Sequence, residues 1–311
     1  MNIFKKFLLL FRKKPKLIVI LGQTATGKSS LSVELALKHN GEIISADSRQ
    51  VYRGLDIGSA KITQEEMRGV PHHMLDLTDP KEKYSVQEYI SEANKVIENI
   101  LKQQKFPIIC GGTGLYIDAL VESMSFPSVP PNEALRKELS HKSTEELVEY
   151  LREQDEKVLK KIDTKNKVRL VRAIEILEAL GDYPERKQPQ NNYQTLFIGL
   201  KLPQEELYKN IDLRIDKRIQ NGSLIKEVQS LHQSGLSYER LYELGLEYRF
   251  VSLYLKGELS KEAMQEQLSQ ATKKFAKRQM TWFKRNKKIH WFHPIDDKEL
   301  IFNLVKKFST K

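Results

Sequence analysis

A glycine-rich octapeptide near the start of the chain constrains the fold more than any other feature. Gly22–Ser29 reads GQTATGKS and fits the G-x-x-x-x-G-K-[ST] phosphate-loop pattern at every fixed position. Lys16–Leu21 before it is an apolar run typical of a buried parallel strand, and Ser29–His39 after it has the apolar spacing of a helix. Strand, glycine loop and helix in this order point backbone N–H groups at a phosphate group. The sequence therefore predicts a phosphate-ester site.

Strands and helices alternate along the rest of the chain. An amphipathic helix is predicted at 85–104. Further strands are predicted at 41–46, 106–110, 195–200 and 289–292. This alternation predicts an α/β, P-loop NTPase-like fold: a mostly parallel sheet with helices on both faces. Ligands of such sheets bind at the carboxyl ends of strands, so one crevice should collect the loops at 22–29, 47–50 and 111–114.

Changes of pattern divide the chain into parts. We expect a basic N-terminal extension at 1–15, a core at 16–123 and 193–311 that ends in C-terminal helices, and a helical insertion at 124–192 lying over that core. The apolar stretch of the extension is too short to span a bilayer. It is either a basic amphipathic segment that contacts membrane or RNA, or a simple lead into the first strand.

Composition limits the cellular setting. The 311 residues are 40% apolar, enough for a substantial core. The formal net charge of +11 favours a polyanionic partner, although a diffuse excess of lysine on the surface gives the same number. A single cysteine, Cys110, leaves no disulfide framework and no cysteine-based zinc site. We expect a cytoplasmic monomer without a membrane span.

Individual residues suggest the chemistry of the crevice. In the loop, amides around Gly27 should cradle phosphate, Lys28 should neutralise charge, and the Ser29 hydroxyl should ligate Mg²⁺. This set can hold a nucleoside triphosphate or stabilise a departing pyrophosphate. Asp47 ends a strand and is either a general base, a magnesium ligand or an ordinary turn residue. The Phe106–Cys110 strand ends in Gly-Gly-Thr instead of an acid, which counts against ATP hydrolysis.

A predicted helix at 262–287 carries an ordered row of basic and polar side chains. Steps of four, three and four place them on one face: Lys274, Arg278, Thr281 and Arg285. The opposite, packed side is predicted from Leu268, Ala271, Phe275 and Trp282. Such a row can follow a phosphate backbone or can be a solvated face. Arg169 and Arg172, three residues apart, form a second basic pair, and the adjacent His72 and His73 are interpreted as structural.

Taken together, these segments resemble the tRNA dimethylallyltransferase (tRNA isopentenyltransferase) family. The resemblance covers about residues 16–293 in family order. Its matching segments are Gly22–Ser29, Asp47–Lys61 (DSRQVYRGLDIGSAK), Pro71–Asp76 (PHHMLD), Gly111–Tyr116 (GGTGLY), Arg172–Glu175 (RAIE) and Lys277–Trp282 (KRQMTW). It implies transfer of a dimethylallyl group from dimethylallyl diphosphate to N6 of adenosine 37, beside the tRNA anticodon, with release of diphosphate.

The resemblance also implies roles for residues. The exocyclic amine of adenine is a weak nucleophile that needs a base, and Asp47 is the carboxylate at hand. Lys28, the loop amides and Mg²⁺ would stabilise the leaving diphosphate, while Thr113 would contact the adenosine. Diphosphate binding falls to Gly22, Gln23, Thr24, Ala25, Thr26, Gly27, Lys28, Ser29 and Arg214. tRNA contact falls to Asp47, Ser48, Arg49, Gln50, Arg169, Arg172, Lys277, Arg278, Gln279, Thr281, Trp282 and Arg285.

The chain departs from the family pattern at three places. Arg49 replaces an apolar residue, and Asn210 stands where an arginine is usual. The Gly-Tyr-[Lys/Arg]-Glu segment of the family reads Glu-Tyr-Arg-Phe here, at 247–250. The C-terminal zinc finger of eukaryotic relatives is absent, which indicates a bacterial-type enzyme.

Other classes of protein remain as alternatives. A P-loop small-molecule kinase explains the glycine loop but leaves the basic row unused. An adenylate isopentenyltransferase acting on free nucleotide would not need the tRNA-type C-terminal helix. A non-catalytic RNA-binding protein explains the charge but leaves Asp47 and the Gly-Lys-Ser sequence idle.

Overall fold

The computed structural model describes residues 14–124, 126–185 and 192–310. Their strands form one six-stranded sheet: β1 Lys16–Gly22, β2 Gly41–Ala46, β3 His72–His73, β4 Phe106–Gly111, β5 Gln194–Leu200 and β6 Ile289–Phe292. The order across the sheet is β3-β2-β4-β1-β5-β6, and every adjacent pair is parallel. The predicted α/β class is confirmed.

Helices connect and follow the strands. They are α1 Lys28–His39, α2 Gln64–Met67, α3 Val86–Lys102, α4 Gly114–Val121, α5 Glu133–Ser140, α6 Thr144–Leu159, α7 Lys167–Leu180, α8 Gln204–Gln220, α9 Ser223–Gln233, α10 Tyr238–Leu244, α11 Leu246–Leu255, α12 Lys261–Phe283 and α13 Lys298–Thr310. The chain has two compact units: residues 124–188 form one, and the remainder forms the other.

The central strand β1 supplies both faces of the sheet core, because successive side chains of a strand point to opposite faces. Its odd-numbered residues, such as Val19, pack in one cluster with α3 and α4. Its even-numbered residues, such as Ile20, pack in another with α1 and α13. Both residues are fully buried, and each such side chain contributes about 1.5–3 kcal/mol. The sheet is therefore covered on both sides, as predicted.

The predicted C-terminal helices of the core include five that precede β6, α8 to α12. Their facing sides share a core with Val51, Tyr52 and Leu55, which follow β2. Glycines with a left-handed φ of 69–93° stand at the ends of these helices, where other residues are strained: Gly222, Gly235, Gly245 and Gly257. This block therefore packs beside the carboxyl end of β2.

The smaller unit has its own core, contributed by α5, α6 and α7. Its one buried acid, Glu175, accepts hydrogen bonds from the Arg136 side chain, from the Arg172 side chain at 3.0 Å and from the Asn132 backbone N–H at 2.8 Å. The Arg136 bond is bidentate, which is the strongest geometry for this pair. Three donors thus satisfy the carboxylate that burial would otherwise penalise.

The predicted basic extension falls outside the described residues, apart from positions 14 and 15. None of the helices between residues 14 and 310 combines the length and the apolar character needed to cross a membrane.

Candidate active site

The loop between β1 and α1 has the backbone shape of an anion site. Gly22 ends β1 with a φ of 148°, and a Cβ atom there would lie 2.4 Å from the carbonyl oxygen of Leu200. Gly27 precedes α1 with a φ of 79°. The Thr26 hydroxyl donates to the Gln23 carbonyl at 2.8 Å and closes the loop. The free N–H groups at the start of α1, together with its dipole, favour a negatively charged ligand.

Lys28 lies folded against the loop. Its Nζ donates to the Gln23 carbonyl oxygen at 2.6 Å. The pKa of Lys28 is lowered to about 8, mainly by burial and in part by the Arg214 charge, while the Cys110 and Asp47 groups oppose the shift. Because burial disfavours the charged form of this ammonium group, an anion bound beside it would stabilise that form strongly.

Arg214 reaches the same loop from α8. Its Nη2 donates to the Thr24 hydroxyl at 2.8 Å. Its Nε is buried and has no hydrogen-bond partner among residues 14–124, 126–185 and 192–310. Burial lowers the pKa of Arg214 to about 10, and the neighbouring Arg218 charge contributes. Since buried donors in native proteins are nearly always satisfied, the orphaned N–H indicates a missing anionic ligand.

Gln279 links the phosphate loop to the end of β4. Its Oε1 accepts from the Thr24 backbone N–H at 2.8 Å, and its Nε2 donates to the Gly112 carbonyl at 2.9 Å. The residue is 7% exposed. A Cβ atom on Gly112 would lie 2.4 Å from Nε2, so glycine is needed there. The side chain thus fixes the loop from inside the molecule, and its predicted contact with tRNA stays a prediction.

Asp47 lies at the carboxyl end of β2. Its Oδ1 accepts from the backbone N–H groups of Arg49 at 2.8 Å and Gln50 at 3.4 Å, as an aspartate does in a turn. Its Oδ2 accepts no hydrogen bond from the described part of the chain. The Thr113 hydroxyl accepts from the Ser48 N–H at 3.1 Å and thereby joins this turn to the start of α4. The turn orients one carboxylate oxygen and leaves the other available to a ligand.

The side chain of Gln50 also forms hydrogen bonds within the protein. Its Oε1 accepts from the Ser45 hydroxyl at 2.9 Å, and its Nε2 donates to the carbonyl oxygens of Ser59 at 3.3 Å and Ala60 at 3.2 Å. These bonds give Gln50 a structural task, and its predicted contact with tRNA stays a prediction. Arg49 is half-buried, and its guanidinium lies 3.4 Å from the Ser48 carbonyl oxygen.

One cleft gathers these groups. Its lining includes Thr24, Lys28, Ser29, Asp47, Gln50, Cys110, Gly111, Gly112, Phe275 and Gln279. The predicted convergence of three post-strand loops is thus observed, since the loops after β1, β2 and β4 all contribute. The cleft holds both a phosphate-type cradle and a carboxylate.

The long segment between β2 and β3 is held by two buried-charge clamps that sequence reasoning missed. Glu227 accepts from three successive backbone amides, those of residues 56–58, at 2.6–3.1 Å. Lys61 donates to Asp56 at 2.6 Å, to Asp76 at 2.5 Å and to the Tyr52 carbonyl at 2.9 Å. The available signal was Lys61 itself, a lysine within an otherwise apolar and glycine-containing run. These bonds tie the segment to α9 and to the residues before β4.

The histidine pair lies on β3, away from any metal-type cluster. The His73 Nε2 lies 2.7 Å from the Glu42 Oε2, and Lys105 donates to the other oxygen of Glu42 at 2.6 Å. The structural interpretation of the pair therefore agrees with its contacts. Within residues 14–124, 126–185 and 192–310, no group of three or more His, Cys, Asp or Glu side chains could hold a metal ion.

The outer face of α12 presents the predicted basic row to solvent. All four predicted members, Lys274, Arg278, Thr281 and Arg285, are exposed, and so are the neighbouring Lys277 and Lys284. The Arg285 guanidinium stacks on the Trp282 ring at 3.9 Å, and the Trp282 Nε1 donates to Asp118 at 2.7 Å. The packed side differs in part from the prediction: it buries Met264, Leu268, Thr272, Ala276, Gln279 and Phe283. Ala271, Phe275 and Trp282 are only half-buried.

A second groove runs beside this face and is also basic. It is lined by three lysines, two aromatic rings and uncharged side chains: Lys201, Lys277, Lys284, Tyr208, Trp291, Gln23, Leu202, Gln204, Leu207, Met280 and Thr281. Cations and flat rings together suit a single-stranded nucleic acid.

In the smaller unit, the two arginines of the basic pair differ in how strongly their side chains are held. Arg172 donates to Glu175 at 3.0 Å and to the Val129 carbonyl at 2.7 Å, so its guanidinium is engaged within the unit. Arg169 is exposed and lies 3.8 Å from Asp163, a loose surface ion pair. Arg169 is therefore the member whose side chain can reach a partner without breaking a buried network.

Known proteins similar to this chain share its length and fold. A family model described as IPPT: IPP transferase matches residues 50–286. "tRNA dimethylallyltransferase 2" of Treponema denticola is 44% identical over 283 residues, covering 88% of this chain and 94% of that protein. The full-length tRNA isopentenylpyrophosphate transferase of Bacillus halodurans has a TM-score of 0.71 at 35% identity, with 96% of each chain covered. A eukaryotic dimethylallyltransferase acting on tRNA has a TM-score of 0.73 at 30% identity, covering 86% of this chain and 70% of that one.

Proposed function

This chain belongs to the IPP transferase family, and we propose that it transfers a dimethylallyl group from dimethylallyl diphosphate to N6 of adenosine 37 in tRNA. The observation that carries the proposal is the single cleft in which the phosphate loop and Asp47 meet. In the reaction the bond between C1 of the prenyl group and the diphosphate oxygen breaks. A bond from N6 to C1 forms, N6 loses a proton, and diphosphate leaves.

The phosphate loop handles the leaving group in this proposal. Amides at the start of α1, Lys28 and Arg214 surround the place where negative charge develops, and such fixed donors stabilise a transition state strongly. The pairing with diphosphate restores the full charge of Lys28 and satisfies the orphaned Arg214 Nε. Both effects favour the charged product over an empty site.

We propose Mg²⁺ as the cofactor. The Ser29 hydroxyl lines the cleft at the first turn of α1, and with diphosphate oxygens and water it forms the oxygen-only donor set that Mg²⁺ prefers. When bound, the ion would neutralise charge on the diphosphate. Ser29 would be its protein ligand, and Asp47 faces the same cleft.

Asp47 acts on the nucleophile. The amine of adenine shares its lone pair with the ring, so attack on C1 requires that a proton leave N6. The free Oδ2 of Asp47 accepts that proton, while the two backbone N–H bonds to Oδ1 hold the carboxylate in place. Thr113, bonded to the Ser48 N–H, contacts the adenosine beside this carboxylate.

The tRNA would lie along the exposed face of α12. Lys277, Arg278 and Arg285 would neutralise its phosphates, and the adjacent groove would receive unstacked bases. A base that enters the cleft must leave the anticodon stack, which costs a few kcal/mol and is offset by these contacts. We propose that the enzyme works as a monomer in the cytoplasm, where a single cysteine suits reducing conditions.

A direct assay tests the proposal. The protein is incubated with labelled dimethylallyl diphosphate and unmodified tRNA, and the digested tRNA is searched for the N6-prenylated nucleoside. Asp47→Ala should lower the rate by about two orders of magnitude or more, with tRNA affinity little changed. Transfer of a γ-phosphate from ATP to an acceptor, without prenylation, would instead establish a kinase. Loss of tRNA binding in Asp47→Ala would make Asp47 a recognition residue.

A further inference from the structure

Helix α8 carries two buried guanidinium groups next to the phosphate loop. Arg214 and Arg218 are four residues apart, so they lie on one face of the helix, where like charges repel. The Arg214 Nε and the Arg218 Nη1 are both buried without a hydrogen-bond partner in the described residues. Burying two cations together is costly unless an anion lies close to them.

Among the described residues, one carboxylate forms an ion pair with these arginines, while the charge of Asp47 also acts on Arg214 and that of Glu227 on Arg218. Glu247, in the first turn of α11, is 7% exposed, and its Oε1 lies 3.8 Å from the Arg218 Nη1. That separation makes an ion pair but not a hydrogen bond. Burial raises the pKa of Glu247, the charges of Arg214 and Arg218 oppose that rise, and the charge of Asp47 adds to it. Glu247 therefore lies within electrostatic range of both the diphosphate end and the base end of the cleft.

The position of Glu247 has no role in the proposed chemistry so far, and the family pattern has glycine there. The side chain begins a helix whose N-terminal dipole favours a carboxylate. It provides one negative charge for two buried cations, which leaves the orphaned N–H groups of both arginines unsatisfied. A diphosphate beside Thr24 is the other anion able to reach Arg214.

We propose that Glu247 is a positioning residue that acts as the internal counter-ion of Arg214 and Arg218 and competes with diphosphate for their charge. The inference rests on the proposed function, because it assumes that the phosphate loop binds a diphosphate. In the empty site the carboxylate holds the two guanidinium groups in place. In the loaded site it weakens the hold on diphosphate, so that the product is released faster.

Isothermal titration of the full chain with inorganic diphosphate and Mg²⁺ measures this competition. Glu247→Gln should tighten diphosphate binding by about tenfold, the size expected when one repelling charge is removed from a partly screened site. Inorganic phosphate, with less charge, should gain less. Glu243→Gln is the matched control, since this acid on α10 pairs with Arg240 at 3.0 Å and lies on the surface. Its diphosphate affinity should equal that of the wild type.

The partner substitution gives the opposite sign. Arg218→Gln leaves Arg214 alone with Glu247 and should weaken diphosphate binding, while the double variant Glu247→Gln/Arg218→Gln should return close to the wild type. A merely structural role would make both single variants bind more weakly. Glu247→Gly, the residue of the family pattern, provides a second test if the buried amide of Glu247→Gln impairs folding, and it should also tighten binding.

The outcomes separate the two ideas. Unchanged or weaker diphosphate binding in both Glu247 variants, with wild-type thermal stability, overturns the counter-ion role and leaves the prenyl transfer standing. A wild-type protein that binds no diphosphate overturns both. Tighter binding with slower turnover and a lower KM for dimethylallyl diphosphate supports the role in product release.

Discussion

Removing the amide of Gln279 should loosen the phosphate loop and leave tRNA binding intact. Gln279→Ala deprives the Thr24 N–H and the Gly112 carbonyl of their partner. Each unsatisfied buried group costs about 1–3 kcal/mol, so we expect a loss of about 3 kcal/mol, reduced from the maximum because water can enter the cleft. For a unit of this size the melting temperature should fall by roughly 6–12 °C.

The isosteric variant Gln279→Glu separates packing from hydrogen bonding. Its carboxylate keeps an acceptor for the Thr24 N–H but turns an oxygen toward the Gly112 carbonyl, where a donor is needed. It also adds a negative charge beside the diphosphate. We expect the KM for dimethylallyl diphosphate to rise about tenfold in Gln279→Ala and more in Gln279→Glu.

The assay measures three quantities on the same preparations: the melting temperature, the KM for dimethylallyl diphosphate and the Kd for tRNA. Gln270→Ala is the control, because this exposed glutamine of the same helix lies outside the basic row and both clefts and bonds to Glu266 at 3.1 Å. The reasoning is refuted if Gln279→Ala weakens tRNA binding while the KM and the melting temperature stay at the wild-type values.

Three further outcomes follow from the structure. Because the pKa of Lys28 is about 8 in the empty site, diphosphate affinity should fall as the pH rises through 8; a titration from pH 7 to 9.5 checks this, and Lys28→Arg should flatten the profile. Gly114→Ala would put a Cβ atom 2.3 Å from the Trp282 ring and should cost about 1–3 kcal/mol of unfolding free energy in a denaturant titration. Glu175→Ala should destabilise the smaller unit by about 2 kcal/mol, a value moderated by one-third exposure of both arginines, and hydrogen exchange confined to residues 126–185 should report it.

The sheet could be predicted where strands are long and apolar. The strands at 16–22, 41–46, 106–111, 194–200 and 289–292 were all found within two residues of their predicted bounds. Strand β3 was missed because two residues give no alternating pattern. Helix α4 was missed because it is apolar on all sides, so it lacks the stripe that marks a helix on a protein surface. Local sequence patterns thus predict strands and helices that have one buried face. An element that is buried on every side lacks the pattern that distinguishes a helix from a strand.

The loops of the site could be predicted from the sequence, but the distant side chains that hold those loops in place could not. The glycine pattern identifies an anion cradle because its chemistry lies in the backbone and in adjacent residues. The roles of Gln279 and Glu247 depend on contacts with residues more than 20 positions away, and no local pattern contains that information. The resemblance implied RNA contact for Gln279, and its position on the buried side of the helix adds a bond to the phosphate loop that the resemblance did not imply.

Helix α12 reaches both ligands of the proposed reaction with a single rigid rod of 23 residues. Its inner edge grips the phosphate loop through Gln279, and its outer edge offers cations to a nucleic acid. A ligand that displaces one edge of the helix would also displace the other edge, because an intact helix moves as one body. By thermodynamic reciprocity, each substrate then alters the affinity for its counterpart by the same factor. Binding of the prenyl donor and binding of tRNA would thus be coupled through this one helix.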